Sequence, residues 1–355
     1  MAPGKDMDGS ARHIFHKHNR MSMKTVVVGA GGISNAWLPV LKTAGVDVAG
    51  IVDLDPARAK AQAEKYALSP VISTDLKKAL RTIRPDFVLD LTIPDAHCSV
   101  TCTALRAGYP VLGEKPMAQS MAQARRMVKA SEDAGKLYMV SQSRRYVDVH
   151  AGLARFVASG KFGALTALNC AFYIGAHFGG FRDEMDSPLI LDMAIHHFDL
   201  ARMISRADPV AVYAKEFNPR GSWYKGDVAA SCIFEMSDGI VFTYMGSWCA
   251  NGLATSWHGD WRLVGEQGSV VYERDQPPVG AIVSEATGFQ HPTAPCAVEP
   301  VPTAPAMSGA LAEFLGALDG GPTPQGECHD NIKSLAMVFG AIESSRKGRR
   351  VAIKY

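Results

Sequence analysis

Between residues 23 and 140 the apolar positions come in short continuous runs, many of them β-branched, at 25–28, 46–52, 87–91, 111–112 and 137–140. The stretches between them, 33–43, 56–66, 75–84, 96–107 and 117–134, instead space their apolar residues by three and four. Continuous runs are the mark of strands buried on both faces, and the wider spacing is that of helices with one apolar stripe. Regular alternation of the two, with right-handed crossovers, predicts a doubly wound parallel sheet covered by helices on both sides.

After residue 145 the rhythm changes. A helix is predicted at 149–158, a strand at 165–173, then a loop rich in Gly, Phe and Asp, and a helix at 189–204. Strand-like runs follow at 210–217, 229–236, 240–248, 257–264 and 269–272, several separated by turns such as Ser237-Asp238-Gly239 and Glu266-Gln267-Gly268. Strands joined by short turns predict an antiparallel or mixed sheet. Residues 276–305 hold seven prolines and no period, which predicts a long surface loop before two closing helices at 308–318 and 329–347. The expected division is therefore a disordered extension over 1–22, a nucleotide-binding α/β domain over 23–142 and a second α/β domain, for substrate and assembly, over 143–355.

Composition narrows the range of partners. The chain has 355 residues, 47% hydrophobic and 20% charged, with a net charge of +2. That is enough apolar material for two cores, and it supplies no basic field for nucleic acid. No run of eighteen apolar residues exists, so no membrane span is expected. The first 22 residues lack the apolar segment of a secretory signal. Seven cysteines, an odd number without any C-x-x-C pair, fit a reducing compartment and a cytoplasmic protein.

Chemistry enters at Gly29-Ala30-Gly31-Gly32-Ile33-Ser34, which follows the first strand and opens a helix. Gly29 permits a tight turn, and Gly31 lets the backbone approach a pyrophosphate at the helix N-terminus. Asp53, at the end of the second strand, is placed for the adenosine ribose hydroxyls. Its charge favours NAD(H) and disfavours NADP(H), although Arg58, one turn on, is able to accept a phosphate. Lys115, in Gly113-Glu114-Lys115-Pro116, lies at the carboxyl edge of the sheet, where such folds bind ligands. On the 189–204 helix, at about 100° per residue, Asp192, His196 and Asp199 form one narrow polar stripe in an otherwise apolar surface. Buried carboxylates and imidazoles need partners, and a lysine from the first domain completes such a set. No third ligand stands at a recognisable spacing from Asp192 and His196, so no metal site is expected.

Taken together, Gly29-Ala30-Gly31-Gly32-Ile33, Asp53, Glu114-Lys115-Pro116 and Asp192-x-Ala-x-His196-x-x-Asp199 resemble the glucose–fructose oxidoreductase and inositol dehydrogenase family, Gfo/Idh/MocA. The likeness runs from Met23 nearly to the end of the chain. It implies an N-terminal Rossmann domain, a C-terminal α/β domain with an open, mostly antiparallel sheet, and homodimers or homotetramers built on that sheet. It also implies Lys115, Asp192 and His196 as the catalytic group, Thr92, Pro94 and His97 as the nicotinamide-side loop, and Gln142 and Arg145 as the segment leading out of the first domain. Two positions depart from the family pattern: Ala194 replaces a glycine, and Asp186-Ser187-Pro188 stands where a glycine run is usual.

The expected activity is NAD-dependent hydride transfer at a secondary alcohol or ketone carbon of a sugar or polyol. His196 would take the hydroxyl proton, Asp192 would orient the imidazole, and Lys115 would steady the developing alkoxide. Arg145, His177 and Arg182 are candidate substrate contacts, as are the aromatic residues Tyr173, Phe178, Trp248, Trp257 and Trp261, which equally suit a core. Two other readings are a redox-neutral, NAD-assisted glycoside-cleaving enzyme and a non-catalytic NAD-binding regulatory protein.

Overall fold

The computed structural model describes residues 22–355, so the extension expected over 1–22 lies, but for its last residue, outside the described residues. The chain forms two compact units. The first is built from residues up to Lys115, Arg126–Tyr146 and Thr303–Cys328, and the second from Pro116–Arg125, Val147–Pro302 and His329–Tyr355. This differs from a single boundary at residue 142. Residues 143–146 and the 303–328 segment, expected in the second domain, pack with the first.

The first unit runs β1 (Lys24–Val28), α1 (Ser34–Thr43), β2 (Asp47–Val52), α2 (Pro56–Lys65), β3 (Val71–Ser73), α3 (Leu76–Ile83), β4 (Phe87–Asp90), α4 (Pro94–Arg106), β5 (Val111–Gly113), α5 (Met121–Ala134) and β6 (Tyr138–Val140). Its six strands lie in the order β3-β2-β1-β4-β5-β6, and every pair is parallel. That is the doubly wound Rossmann arrangement. The short β3 escaped the sequence pattern because three half-exposed residues give no run to detect. Asp55 caps α2 by accepting the Ala57 N–H at 2.9 Å, with Pro56 at the first helical position. The core joins Val27, Leu89, Leu112 and Met139 of the sheet to Trp37, Leu38 and Leu41 of α1. Leu311 and Phe314 of the late helix Met307–Leu318 complete it, with the Phe314 ring centroid 5.3 Å from that of Phe87. Burying two such side chains against the sheet is worth several kcal/mol, which is why this distant segment returns to the first unit.

The second unit continues with α6 (Asp148–Ala158), β7 (Leu165–Tyr173), a π-helical turn (Leu189–Ala194), α7 (Ile195–Ser205), β8 (Pro209–Phe217), β9 (Ala229–Met236), β10 (Val241–Ser247), β11 (Asp260–Gly265), β12 (Gly268–Tyr272), β13 (Val279–Val283) and β14 (Thr293–Ala297). The first unit's late helix is α8 (Met307–Leu318), after which α9 (Cys328–Lys347) and β15 (Val351–Ala352) end the chain. The nine strands lie in the order β14-β13-β12-β11-β7-β10-β9-β8-β15. The β7–β10 pair is parallel, and its neighbours are antiparallel. Strands alternate buried and exposed residues, as a sheet with one covered face requires. On the other face Tyr213, Ile233 and Met245 are exposed.

The 276–305 segment is not the loop its prolines predict: it holds β13 and β14, a hairpin at the sheet edge. Its prolines masked the pattern; Pro295 sits within β14, the outermost strand, where a missing N–H disrupts no central ladder.

Candidate functional site

The turn after β1 is shaped by contact with the backbone of the next strand. Gly29 has φ +99°, and a Cβ placed on it would lie 2.7 Å from the Leu91 carbonyl oxygen. Gly31 and Gly32 face open space. The first helical bonds come from the N–H groups of Ser34, Asn35 and Ala36, which leaves those of Gly31, Gly32 and Ile33 with no acceptor among the described residues. Three exposed N–H groups at a helix N-terminus suit a pyrophosphate. Asp53 accepts the Ala30 N–H at 2.7 Å and the Asp55 N–H at 2.8 Å, so its carboxylate ties the end of β2 to the glycine turn. Arg58, whose side chain is 69% exposed, ion-pairs with Asp55 at 3.4 Å.

A second turn forms where β4 meets α4. Asp90 is fully buried and accepts from the Thr92 N–H at 3.1 Å and its hydroxyl at 2.6 Å, and from the Thr101 hydroxyl at 3.0 Å. Pro94 occupies the first position of α4, and the buried His97 places its Nε2 2.8 Å from the Thr92 carbonyl. Thr92, Pro94 and His97 thus belong to one rigid turn. Beyond β5, the buried Glu114 accepts from Trp37 Nε1 at 2.6 Å and from the Lys115 N–H at 3.1 Å. Burial pushes the Glu114 carboxyl above the ordinary range, partly offset by the Trp37 hydrogen bond and the nearby Lys115 charge. Lys115 follows directly, its backbone fixed by that carboxylate. The Trp37 partner was not anticipated, since no spacing links residues 77 apart. Arg145 lies buried in the 3₁₀ turn Ser143–Tyr146, and Gln142 is buried just before it.

In the second unit the predicted 189–204 helix is two elements. The π-helical turn carries Asp192, and α7 begins at Ile195. A π turn changes the rotation per residue, so the three-member stripe does not hold. Asp199 is buried and accepts from Ser334 at 2.7 Å, a structural role inside the unit. Asp192 and His196 remain only partly buried. Asp192 accepts from Arg182 Nε at 2.6 Å, with side-chain exposures of 15% and 32%. The Arg182 guanidinium carbon lies 5.1 Å from the Phe178 ring centroid and 4.8 Å from that of Phe181. His177 stacks on Trp223, with centroids 3.6 Å apart and planes 13° from parallel. Tyr173 is half-buried, at the end of β7.

The loop bearing Arg182 is clamped from outside. Lys225 N–H donates to the Asp183 carbonyl, and Asp227 N–H to that of Asp186, each at 2.8 Å. Gly226 between them has no room for a Cβ, which would fall 2.2 Å from the Met185 carbonyl oxygen. Of the tryptophans named from sequence, Trp248 and Trp261 are core residues, whereas Trp257 is 45% exposed. Sequence reasoning missed Trp223 and Gly226. Trp223 stands in a loop with no period, and Gly226 is required only by a chain segment forty residues away.

Residues 23–142 match the family model for the Gfo/Idh/MocA oxidoreductases with an NAD-binding Rossmann fold, and residues 150–271 match a C-terminal domain model of the same family. The chain belongs to the Gfo/Idh/MocA family and is an oxidoreductase of the class acting on CH–OH groups. It is 24% identical to 1,5-anhydro-D-fructose reductase from Ensifer adhaerens, over 92% of this chain and 98% of that protein. It is also 24% identical to D-apiose dehydrogenase from Paraburkholderia graminis, over 93% of this chain and 90% of that protein. An oxidoreductase from Agrobacterium radiobacter, crystallised with NAD+, L-tartaric acid and magnesium, shares the fold with a TM-score of 0.80. The match has 23% identity and covers 94% of this chain and 98% of that one. No helix among the described residues is long and apolar enough to cross a membrane.

Proposed function

We propose that the chain is an NAD(H)-dependent dehydrogenase acting at a secondary alcohol or ketone carbon of a sugar, polyol or sugar derivative. The observation that carries this reading is the row of exposed N–H groups at Gly31, Gly32 and Ile33, with the Asp53 carboxylate held 2.7 Å from the Ala30 nitrogen. Those N–H groups fit a pyrophosphate, and Asp53 fits ribose hydroxyls while repelling a 2′-phosphate. The turn of Thr92, Pro94 and His97, with Glu114 and Lys115, would flank the nicotinamide. When bound, NAD supplies the hydride acceptor.

The protein's own part is proton handling and orientation. His196 takes the proton of the substrate hydroxyl, Asp192 orients the substrate and the imidazole, and Lys115 donates to the substrate oxygen as its charge grows. Arg182 and His177 hold the rest of the substrate. The Ensifer and Paraburkholderia relatives are named for reactions on 1,5-anhydro-D-fructose and D-apiose, which supports this substrate class. The exposed Tyr213, Ile233 and Met245 on the open sheet face support a homodimer or homotetramer built there. The odd number of cysteines, without any C-x-x-C pair, supports a cytoplasmic site of action.

The test is NADH formation across inositols, aldoses, alditols and anhydro sugars. Lys115→Met and His196→Asn should each lower kcat by roughly 100- to 10,000-fold, with NADH affinity within about threefold of wild type. Near-normal turnover in both variants would remove the assignment.

A further inference from the structure

The environment of Arg182 points to the charge of the substrate. A guanidinium has five N–H donors in a rigid plane. Arg182 spends only Nε on Asp192, and neither terminal nitrogen donates to a described residue. The plane is fixed by the Phe178 and Phe181 rings, with centroids 5.1 and 4.8 Å away. Both rings are markedly exposed, at 43% and 67%, and the Arg182 side chain itself keeps 32% of its surface exposed. An arginine held on one side by a carboxylate and on its faces by rings has already lost most of the freedom that binding would cost it. What remains is a two-pronged edge that matches an oxyanion.

We infer that the substrate is a sugar acid, an aldonate or uronate, whose carboxylate is bound by the terminal edge of Arg182. This rests on the dehydrogenase reading above. The distance between the groups argues for an acid within the sugar itself. Arg182 Nε is 2.6 Å from Asp192, so an oxyanion on the terminal nitrogens lies only a few bonds from whatever Asp192 orients. Beyond Asp192, no nearby acid pairs with Arg182 among the described residues: Glu184 is engaged by Lys225 at 3.3 Å, and Asp183 makes no ion pair with the guanidinium. A neutral polyol would leave the cation's open edge with hydroxyl acceptors alone, which bind an arginine more weakly than a carboxylate does.

The experiment compares NAD reduction with aldonates and uronates, with neutral aldoses and alditols of the same configuration, and with sugar phosphates, at constant ionic strength. The wild type is expected to show kcat/KM at least tenfold higher for the acid than for its neutral counterpart. Arg182→Gln is expected to bring that ratio to about two or less, chiefly by raising KM for the acid, and Arg182→Lys to leave an intermediate ratio. The ratio is the informative quantity, because a displaced Asp192 would slow both substrates alike. In parallel, gluconate titrated against the NADH complex should quench tryptophan fluorescence saturably in wild type and not in Arg182→Gln. Preference for neutral sugars or sugar phosphates, or an acid-to-neutral ratio untouched by Arg182→Gln, overturns the inference while leaving the dehydrogenase standing. Saturable gluconate binding through Arg182, with no NADH formed from any substrate, supports the acid site and overturns the dehydrogenase.

Discussion

The two units hold their carboxylates by different means. In the nucleotide-binding unit, Asp53, Asp90 and Glu114 accept from backbone N–H groups, threonine hydroxyls and an indole. In the second unit Asp192, Asp208 and Asp330 instead face cations, while the buried Asp199 and Glu216 accept from serine hydroxyls. Asp192 is held by Arg182, and Asp330 and Asp208 are held by the buried Arg202 at 2.6 and 3.2 Å, with Lys333 2.6 Å from Asp208. Burial alone would raise the Asp208 carboxyl, but the hydrogen bonds from Lys333 and Arg202 outweigh it and hold it below its ordinary value. Neutral donors fixed by the main chain give a receptor that scarcely changes, which suits a constant cofactor. Long charged side chains give one that a few substitutions re-aim, which suits substrates that differ between relatives.

The sharpest way to break this contrast is at the main chain. Gly29 combines φ +99° with backbone atoms of Leu91 and Thr92 at 2.7–2.9 Å from any added Cβ, and no side chain is there to yield. Gly29→Ala should cost roughly 5 kcal/mol, as strain and clash together, and abolish the folded nucleotide unit in a denaturation curve. Gly31→Ala enters open space, so its melting temperature should stay near wild type while NADH affinity falls about tenfold. If Gly29→Ala melts like wild type, the claim that main-chain approach builds this turn is wrong.

The same test applied to charge has a smaller effect. Arg202→Met removes the cation from two carboxylates and the Ser334 hydroxyl. Stranding buried ionic partners costs 3–5 kcal/mol in general. Here both carboxylates keep an exposed edge, so about 3 kcal/mol is expected, read as a lowered denaturation midpoint for the second unit. A loss under about 1 kcal/mol would show that the network is a solvated surface cluster.

How much of this the chain announces follows the same division. Glycines and β-branched runs act locally, so the Rossmann strands, the turn at Gly29–Ser34 and the Asp55 cap are legible from spacing alone. Asp192 and His196 stood out because a polar pair in an apolar helix is unusual. What stayed hidden depends on residues far apart. Arg202 meets Asp330 across 128 positions, and Trp37 meets Glu114 across 77. The π-helical turn that separates Asp199 from Asp192 has no pattern in a helical wheel. The return of α8 to the first unit is equally silent, since its apolar stripe fits either core.

Glu216 sharpens the comparison through pH. It is 3% exposed on β8, with one oxygen accepting from Ser187 at 3.3 Å and the other without a partner. Burial pushes its carboxyl up from 4.5 to about 7, with Asp227 adding to the rise and Ser187 and Arg346 opposing it. The folded state therefore binds the proton more tightly than the unfolded chain. The stability this contributes is complete below pH 4.5 and lost as pH rises through about 7. Glu216→Gln should match wild type near pH 4.5 and exceed it by about 2–3 kcal/mol above about pH 8. Equal denaturation midpoints at both pH values would mean that this carboxylate finds a partner when ionised.

The smallest effect expected concerns the first unit's own charge. Asp53 uses its carboxylate for the Ala30 and Asp55 N–H groups, yet its negative charge remains at the end of β2. Two like charges about 4 Å apart near a protein surface repel by about 4 kcal/mol at most, less with screening. Asp53→Ser deletes the charge and keeps an oxygen for the Ala30 N–H, so the turn should survive. Arg58, now spent on Asp55 and largely exposed, is free to swing toward a phosphate at little cost. NADPH affinity should rise about tenfold, which is about 1.4 kcal/mol, and NADH affinity should fall severalfold as its ribose loses an acceptor. Fluorescence titration of both cofactors against both proteins measures the four constants. A wild-type chain that already binds NADPH as tightly as NADH would show that Asp53 serves the turn and not the choice of cofactor.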